Sequence, residues 1–291
     1  MKPAAFTYHR PASLDEALDL LAQWGPEARL LAGGQSLGPM LNLRVARPAH
    51  VIDVNDLTEF AYVRDAGDAV DVGGLTRHYQ LAGSPALLRH CPLLPQAART
   101  IGHYAIRQRG TLGGSLANAD PAAQLVLVAV ALDARLTLAQ RGGRREVAAK
   151  DFFQAAMTTA LQPQEMLLSV RFPKFNSGEV CAYRMFNRRH GDYALVAVAT
   201  TLAVQDGLVQ RMRLAISGTA PVPERLDAVT AAFEGRPVTS AWPTEVADAV
   251  VNAVQPEDDE RVPATYRREL AHTLTVRALT RTLEKLEGVS V

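Results

Sequence analysis

The sequence predicts an α+β protein in two parts, divided near residue 175. Three observations predict it. Short β-rich runs and helical periodicities alternate before residue 175. After Pro173–Gly178, which reads as a linker, two long β-rich runs are joined by Asp206-Gly207, a strong hairpin signal. Helical stretches then follow with no further strand, as in an α+β domain. The expected units are residues 1–175 and 176–291.

Ser13-Leu14-Asp15-Glu16 reads as a capping box: the Ser13 hydroxyl accepts from the helix start and Glu16 reaches back. Leu14, Ala17, Leu18 and Leu21 recur at helical spacing, and Gly25-Pro26 ends the helix. Arg29–Ala32 is a short strand entering a glycine motif. Val51–Val54, Ala61–Val63 and Ala69–Val72 are the next strands, and Gly73-Gly74 reads as a structural turn. Thr76 is a candidate helix cap, and residues 85–101 are helical in outline. A second glycine motif follows. Pro121 then opens an apolar helix to Leu132. Arg135–Leu138 and Glu146-Val147 flank Gly142-Gly143 as a hairpin, and Met166–Phe172 is the last strand of the first unit. In the second unit Leu195–Val204 and Leu208–Ser217 form the hairpin. Helices are expected at about 225–233, 244–254 and 265–287.

Composition excludes several functions. The 291 residues are 48% hydrophobic and 21% charged, with net charge +1, so no bulk field draws nucleic acid or an anionic membrane. No apolar run is long enough for a membrane span. Met1–Arg10 lacks the apolar core of a secretory signal, which predicts a cytoplasmic protein. The two cysteines, Cys91 and Cys181, are too few for an iron–sulfur cluster on this chain. They are read as buried thiols, a structural disulfide being the alternative. The seven histidines show no H-x-x-x-H spacing, so no metal site is expected.

The informative feature is a pair of glycine motifs: Ala32-Gly33-Gly34-Gln35-Ser36-Leu37, and Thr111-Leu112-Gly113-Gly114-Ser115. A diphosphate needs donors close by on two sides, and a Cβ would hold the backbone away. Glycine removes that obstacle and reaches positive φ, so successive amides can point into one concavity. Gly33-Gly34 and Gly113-Gly114 are expected to supply N–H groups, with Gln35, Ser36, Thr111 and Ser115 adding side-chain donors. The alternative is that both are ordinary turns. Neither motif fits G-x-G-x-x-G or a P-loop. Spacing alone indicates a phosphate-bearing ligand and leaves its identity open. No nucleophile or acid–base pair stands out, and no catalytic side chain is assigned: Asp53, Asp71 and His103 fit strand-edge or helix-surface roles.

Leu30–Leu37 with Leu41-Asn42-Leu43-Arg44, Thr100–His103, Ile106–Ala123 and Arg188–Ala194 resemble the FAD motifs of one family. It is the medium, FAD-binding subunit of molybdenum hydroxylases, which includes carbon monoxide and xanthine dehydrogenases. The resemblance implies a two-lobed FAD domain of the vanillyl-alcohol oxidase type. It also implies a smaller C-terminal domain of the carbon monoxide dehydrogenase flavoprotein type. It implies FAD with its diphosphate between Ala32–Ser36 and Thr111–Ser115, Asp120 near the ribityl chain, and Tyr193 over the isoalloxazine. The alternatives are a helix N-cap for Asp120 and a half-buried core tyrosine for Tyr193. The partners implied are a large molybdopterin subunit and a small subunit with [2Fe–2S] clusters, arranged as a dimer of heterotrimers. Electrons would pass from those clusters through FAD to NAD+, a quinone or dioxygen. Where relatives carry an acidic residue and Leu-Pro, this chain has Gln124-Leu125-Val126. That puts a polar contact near the flavin in doubt. A free-standing FAD oxidoreductase of related fold, with its own substrate, is the alternative function.

Overall fold

The computed structural model describes residues 1–260 and 262–289. The first lobe runs β1 (Thr7–His9), α1 (Leu14–Trp24), β2 (Ala28–Leu31), α2 (Leu37–Asn42) and β3 (His50–Asp53). Its strands form a parallel sheet in the order β1-β3-β2. Helix α1 starts where the capping box placed it: Ser13 Oγ accepts from the Glu16 amide at 3.2 Å. The Glu16 carboxylate reaches one residue further back than expected, to the Ala12 amide at 2.7 Å. Gly25 ends the helix at φ +40. Ala17, Leu18 and Leu21 bury against Ile52, Val54 and Leu57, and this small core holds the β2 and β3 ends in place.

The second lobe begins with β4 (Val63–Asp65) and β5 (Ala69–Gly73). Six helices follow: α3 (His78–Gly83), α4 (Pro85–His90), α5 (Leu93–Ala98), α6 (Tyr104–Arg109), α7 (Leu112–Asn118) and α8 (Gln124–Ala131). Then come β6 (Arg135–Gln140), β7 (Gly143–Ala148), α9 (Ala149–Phe152), β8 (Phe153–Ala155), β9 (Thr158–Thr159) and β10 (Met166–Pro173). The main sheet is antiparallel, ordered β4-β5-β10-β6-β7. Its central strand is thus the last in sequence.

Several expectations change here. The strand expected at Ala61 starts at Val63, because Thr58–Phe60 makes a 3₁₀ turn first. Gly73 ends β5 and Gly74 opens the expected structural turn, closed by the Thr76 amide donating to the Gly73 carbonyl at 3.1 Å. The helix from residue 85 breaks at Cys91, as proline disfavours helical backbone in the residue before it: Cys91 has φ −150 and ψ 59 ahead of Pro92. Arg77, not Thr76, is the N-cap of α3, while Thr76 is buried and donates to the Tyr62 carbonyl at 2.8 Å.

The C-terminal unit runs β11 (Val180–Phe186), β12 (Val196–Gln205), β13 (Leu208–Ser217), β14 (Glu224–Arg225), α10 (Asp227–Ala231), α11 (Trp242–Ala253) and α12 (Ala264–Val289). The hairpin turn has φ +52 at Asp206 and +75 at Gly207, as a two-residue type I′ loop requires. Strand β11 was absent from the sequence expectations. Both faces of this sheet are covered. Val180, Ala182, Val196 and Val198 pack on α11 and α12, while Cys181, Tyr183, Ala197 and Ala199 join the core of the second lobe. Between them lies α8, in which all eight residues are buried. A helix with no polar face needs cover all round, which explains why the C-terminal sheet packs on it. Cys91 and Cys181 are free and buried, and burial raises both thiol pKa values, that of Cys181 to about 12. Among the described residues no helix is long and apolar enough to cross a membrane.

Candidate functional site

The two glycine motifs, one leaving a strand and one opening a helix, meet. The first leaves the end of β2. A Cβ placed on Gly33 would overlap the Arg109 carbonyl and fall 2.8 Å from the Gly110 Cα. Glycine at 33 lets the two main chains touch, while a Cβ on Gly110 would meet the His78 ring at 2.5 Å. Gly34 is needed for a second reason, its φ of +70.

The first motif has its carbonyls tied and its amides free. The Ala32 carbonyl accepts from Asn55 Nδ2 at 2.9 Å, and the Gly33 carbonyl accepts from Gln35 Nε2 at 2.9 Å. The Gly34 carbonyl accepts from the Gly38 amide at 2.9 Å. In a trans peptide the N–H points opposite to the C=O. The amides of Gly33, Gly34 and Gln35 therefore point away from these anchors. Among the described residues, the Gly34, Gln35 and Ser36 amides have no acceptor. The Gln35 side-chain amide, expected to serve a ligand, folds back on Gly33. Ser36 precedes α2 without a capping bond, so its hydroxyl is available, and Leu37 begins the helix.

The second motif is a helix start and not a loop. Thr111 is the N-cap of α7, its Oγ accepting from the Gly114 amide at 3.1 Å. The Leu112 amide donates to Thr76 O at 2.9 Å, the Gly113 amide to Gly74 O at 2.7 Å, and the Ser115 amide to Thr111 O at 3.0 Å. The expected donors Gly113 and Gly114 are therefore already bonded within the chain. Gly113 serves packing: a Cβ there would come 2.8 Å from the Gly74 carbonyl oxygen. Among the described residues, the donors at this motif without an acceptor are the amide and hydroxyl proton of the buried Thr111; Ser115 is partly exposed beside them.

Two residues that sequence reasoning missed fix that amide. His78 N–H donates to the Gly110 carbonyl at 2.9 Å, which turns the Thr111 amide the opposite way. His78 Nε2 lies 3.0 Å from the Thr111 carbonyl and so carries the proton. Its Nδ1 is buried and unpartnered. Burial pushes the His78 pKa down to about 4, so the ring is neutral. Arg77 bridges the motifs: Nη1 donates to the Arg109 carbonyl and Nη2 to Asn55 Oδ1 at 2.6 Å. Asn55 in turn holds Asp53 Oδ1 at 2.5 Å, and Tyr8 donates to Asp53 Oδ2 at 2.6 Å. The only signals in the sequence were the position of Asn55 just past a strand and Gly110 beside the second motif.

Asp120 follows the left-handed Ala119 (φ +50) and closes an Asx turn, with Oδ1 accepting from the Ala122 amide at 2.9 Å. The helix N-cap is Ala123, so the N-cap alternative for Asp120 does not hold. Tyr193 is 54% exposed, so it is half-buried. The covered part of its ring and the charge of Asp120 raise its hydroxyl pKa, so the two predicted residues are neighbours. The loop bearing Tyr193 packs back on His103, the N-cap of α6. Gly191, at φ +90, sits against the His103 ring, and the rings of His103 and His190 are 5.5 Å apart. Gln124 is buried and points inward, donating to the Thr100 carbonyl at 3.3 Å.

This is a two-domain FAD-binding fold. Residues 4–175 match the FAD-binding domain in molybdopterin dehydrogenase, and residues 181–282 match the CO dehydrogenase flavoprotein C-terminal domain. The caffeine dehydrogenase subunit beta of Pseudomonas sp. (strain CBB1) is 35% identical, covering 100% of this chain and 99% of that protein. The carbon monoxide dehydrogenase medium chain of Hydrogenophaga pseudoflava is 35% identical over 96% of this chain and 97% of that one. Among solved structures, carbon monoxide dehydrogenase from Hydrogenophaga pseudoflava superposes with a TM-score of 0.93 at 36% identity, covering 98% and 99% of the two chains. Quinoline 2-oxidoreductase from Pseudomonas putida 86 gives a TM-score of 0.93 at 30% identity, with the same coverage. The chain belongs to the FAD-binding medium subunits of the molybdenum hydroxylase family, and is an oxidoreductase subunit with FAD as its cofactor.

The site fits that cofactor. It offers free amides on two sides, no Cβ at the seam, and a half-buried cation, Arg77, with no carboxylate within 4.0 Å among the described residues.

Proposed function

We propose that this chain holds the FAD diphosphate across the amides of Gly34, Gln35, Ser36 and Thr111, with Gly33 and Gly113 shaping the cleft. Ala32 and Leu37 frame the first motif, while Gly114 and Ser115 close the second. The single observation that supports the reading is the close approach of Gly33 to the main chain of Arg109-Gly110, which brings two motifs distant in sequence together. Asp120 stands where the ribityl chain leaves the diphosphate, and Tyr193 covers the ring. Bound FAD supplies one- and two-electron redox chemistry, so the chain needs no nucleophile or acid–base pair. Its residues bind and orient the flavin and limit access of water to it.

In this reading the chain is the electron-transfer subunit of a cytoplasmic heterotrimer assembled as a dimer. Electrons arrive from the [2Fe–2S] clusters of a small subunit, after substrate oxidation on a large molybdopterin subunit. They leave to NAD+, a quinone or dioxygen. The unit boundary falls between residues 175 and 176. The test is to co-express the chain with the subunits encoded beside it. The account expects a yellow complex with one flavin per copy of this chain, whose flavin bleaches when the large subunit's substrate is added. A colourless complex, or flavin reduction by this chain alone, contradicts it.

A further inference from the structure

The seam between the glycine motifs poses a mechanical problem. The first motif hangs from the three-stranded sheet and the second from helices packed on the five-stranded sheet. Where they touch, Gly33 faces the main chain of Arg109-Gly110, so no side chain of the first motif sets their spacing. One polar bridge crosses the seam. Asn55, just past β3, holds the Ala32 carbonyl of the first motif at 2.9 Å. Arg77, the N-cap of α3, holds the Arg109 carbonyl of the second, and its other arm donates to Asn55 Oδ1 at 2.6 Å.

We propose that Arg77, acting with Asn55, is a positioning residue that locks the two glycine motifs into a single diphosphate-receiving face; this rests on the FAD reading above. The bridge grips carbonyls, and each gripped carbonyl belongs to a trans peptide whose amide points the other way. It thus sets the separation of the two motifs at Ala32-Gly33 and Arg109-Gly110, next to the amides of Gly34 and Thr111. The guanidinium suits this task because its planar fork can serve two acceptors at a fixed angle, which an ammonium cannot do.

The charge of Arg77 supports the same assignment. Among the described residues it has only neutral acceptors, with no carboxylate within 4.0 Å. Desolvation lowers its pKa, and the nearby charge of Arg109 lowers it further. Two cations close together, one of them half-buried with its nearest carboxylate, Asp53, only partly offsetting the charge, are costly in an empty fold. A dianionic diphosphate beside the motifs offsets that cost. The same bridge extends to Asp53 and Tyr8, which brace Asn55 from the first sheet.

The experiment is FAD titration of the deflavinated complex, followed by flavin fluorescence, with the melting temperature of the flavin-free complex as control. Asn55→Ala and Arg77→Met are each expected to weaken FAD binding on the order of 10- to 100-fold, the range for one lost charge-assisted bond. The double variant is expected to lose no more than about threefold beyond the weaker single variant, because both act through one bridge. Arg77→Lys keeps the charge but not the fork, and is expected to bind at least tenfold more weakly than wild type. The melting temperature of the flavin-free complex stays within about 2 °C in all four. A purely structural bond would instead lower that temperature and leave FAD affinity unchanged. Additive losses, or Arg77→Lys binding within about threefold of wild type, overturn the proposal. Should Arg77→Met not fold, Asn55→Ala and Arg77→Lys decide the question by the same limits. A wild-type complex that takes up no FAD refutes the FAD reading itself, which separates the two failures.

Discussion

The two glycine motifs look alike in sequence and do different physical work. At the first, Gly34 adopts φ +70 and the amides of Gly34, Gln35 and Ser36 are left free. At the second, the amides of Leu112, Gly113, Gly114 and Ser115 are all engaged, because the motif starts a helix that packs on Gly74. Gly113 is there for closeness rather than for backbone freedom. The first motif offers donors; the second offers a rigid wall with one amide, that of Thr111, aimed by His78. A Gly-Gly pair therefore signals a close approach, and only the carbonyl partners reveal whether the approach is to a ligand or to the protein's own chain.

The contrast can be broken by substitution, and the largest effect falls at the seam. Gly33→Val would drive a side chain into Arg109 and Gly110 and part the two motifs. The expected outcome is complete loss of bound flavin, read as the absence of flavin absorbance in the purified complex.

Next is the pH dependence of the second motif. His78 is held neutral with a pKa near 4, whereas an unfolded chain takes up a proton near the ordinary histidine value. A lowered histidine pKa means the folded state resists protonation. The stability is thus complete above about pH 6.5 and declines as the pH falls towards 4, by roughly 3 kcal/mol in total. Flavin-free protein should lose stability over this window in urea titrations. His78→Gln should flatten the dependence, whereas changes at Gly34 should leave it intact.

Gly34→Ala sharpens the comparison from the other side. A Cβ there meets only the flexible end of Leu31 at 3.2 Å, but the left-handed backbone disfavours it by about 1–2 kcal/mol. Its strain lies at the donor turn, so FAD affinity should fall while the pH profile is kept. The smallest effect is expected at the helix cap. Thr111→Ala removes the acceptor for the Gly114 amide and should cost about 1 kcal/mol of stability in the flavin-free protein. Thermal unfolding checks it.

Much of this was legible in the chain itself. Ser13 and Gly25 bounded the first helix because caps are local chemistry. Asp206-Gly207 gave the hairpin because positive φ at both positions is written in residue type. The two motifs were found because glycine is informative wherever backbone must approach something. What stayed hidden depended on contacts far apart in sequence. Thr111 could not be read as a helix cap while the motif looked like a loop. Nothing near His78 or Arg77 announces that they grip the carbonyls of residues 109–111. Strand β11 was missed because it is buried on both faces and carries no clean alternation of apolar and polar residues.

The most direct test of the central claim is a crystal structure of the flavin-loaded complex. The account predicts the FAD diphosphate within hydrogen-bonding distance of the amides of Gly34, Gln35, Ser36 and Thr111. A diphosphate seated away from the Gly33–Gly110 seam, or one contacting only one of the two motifs, contradicts it.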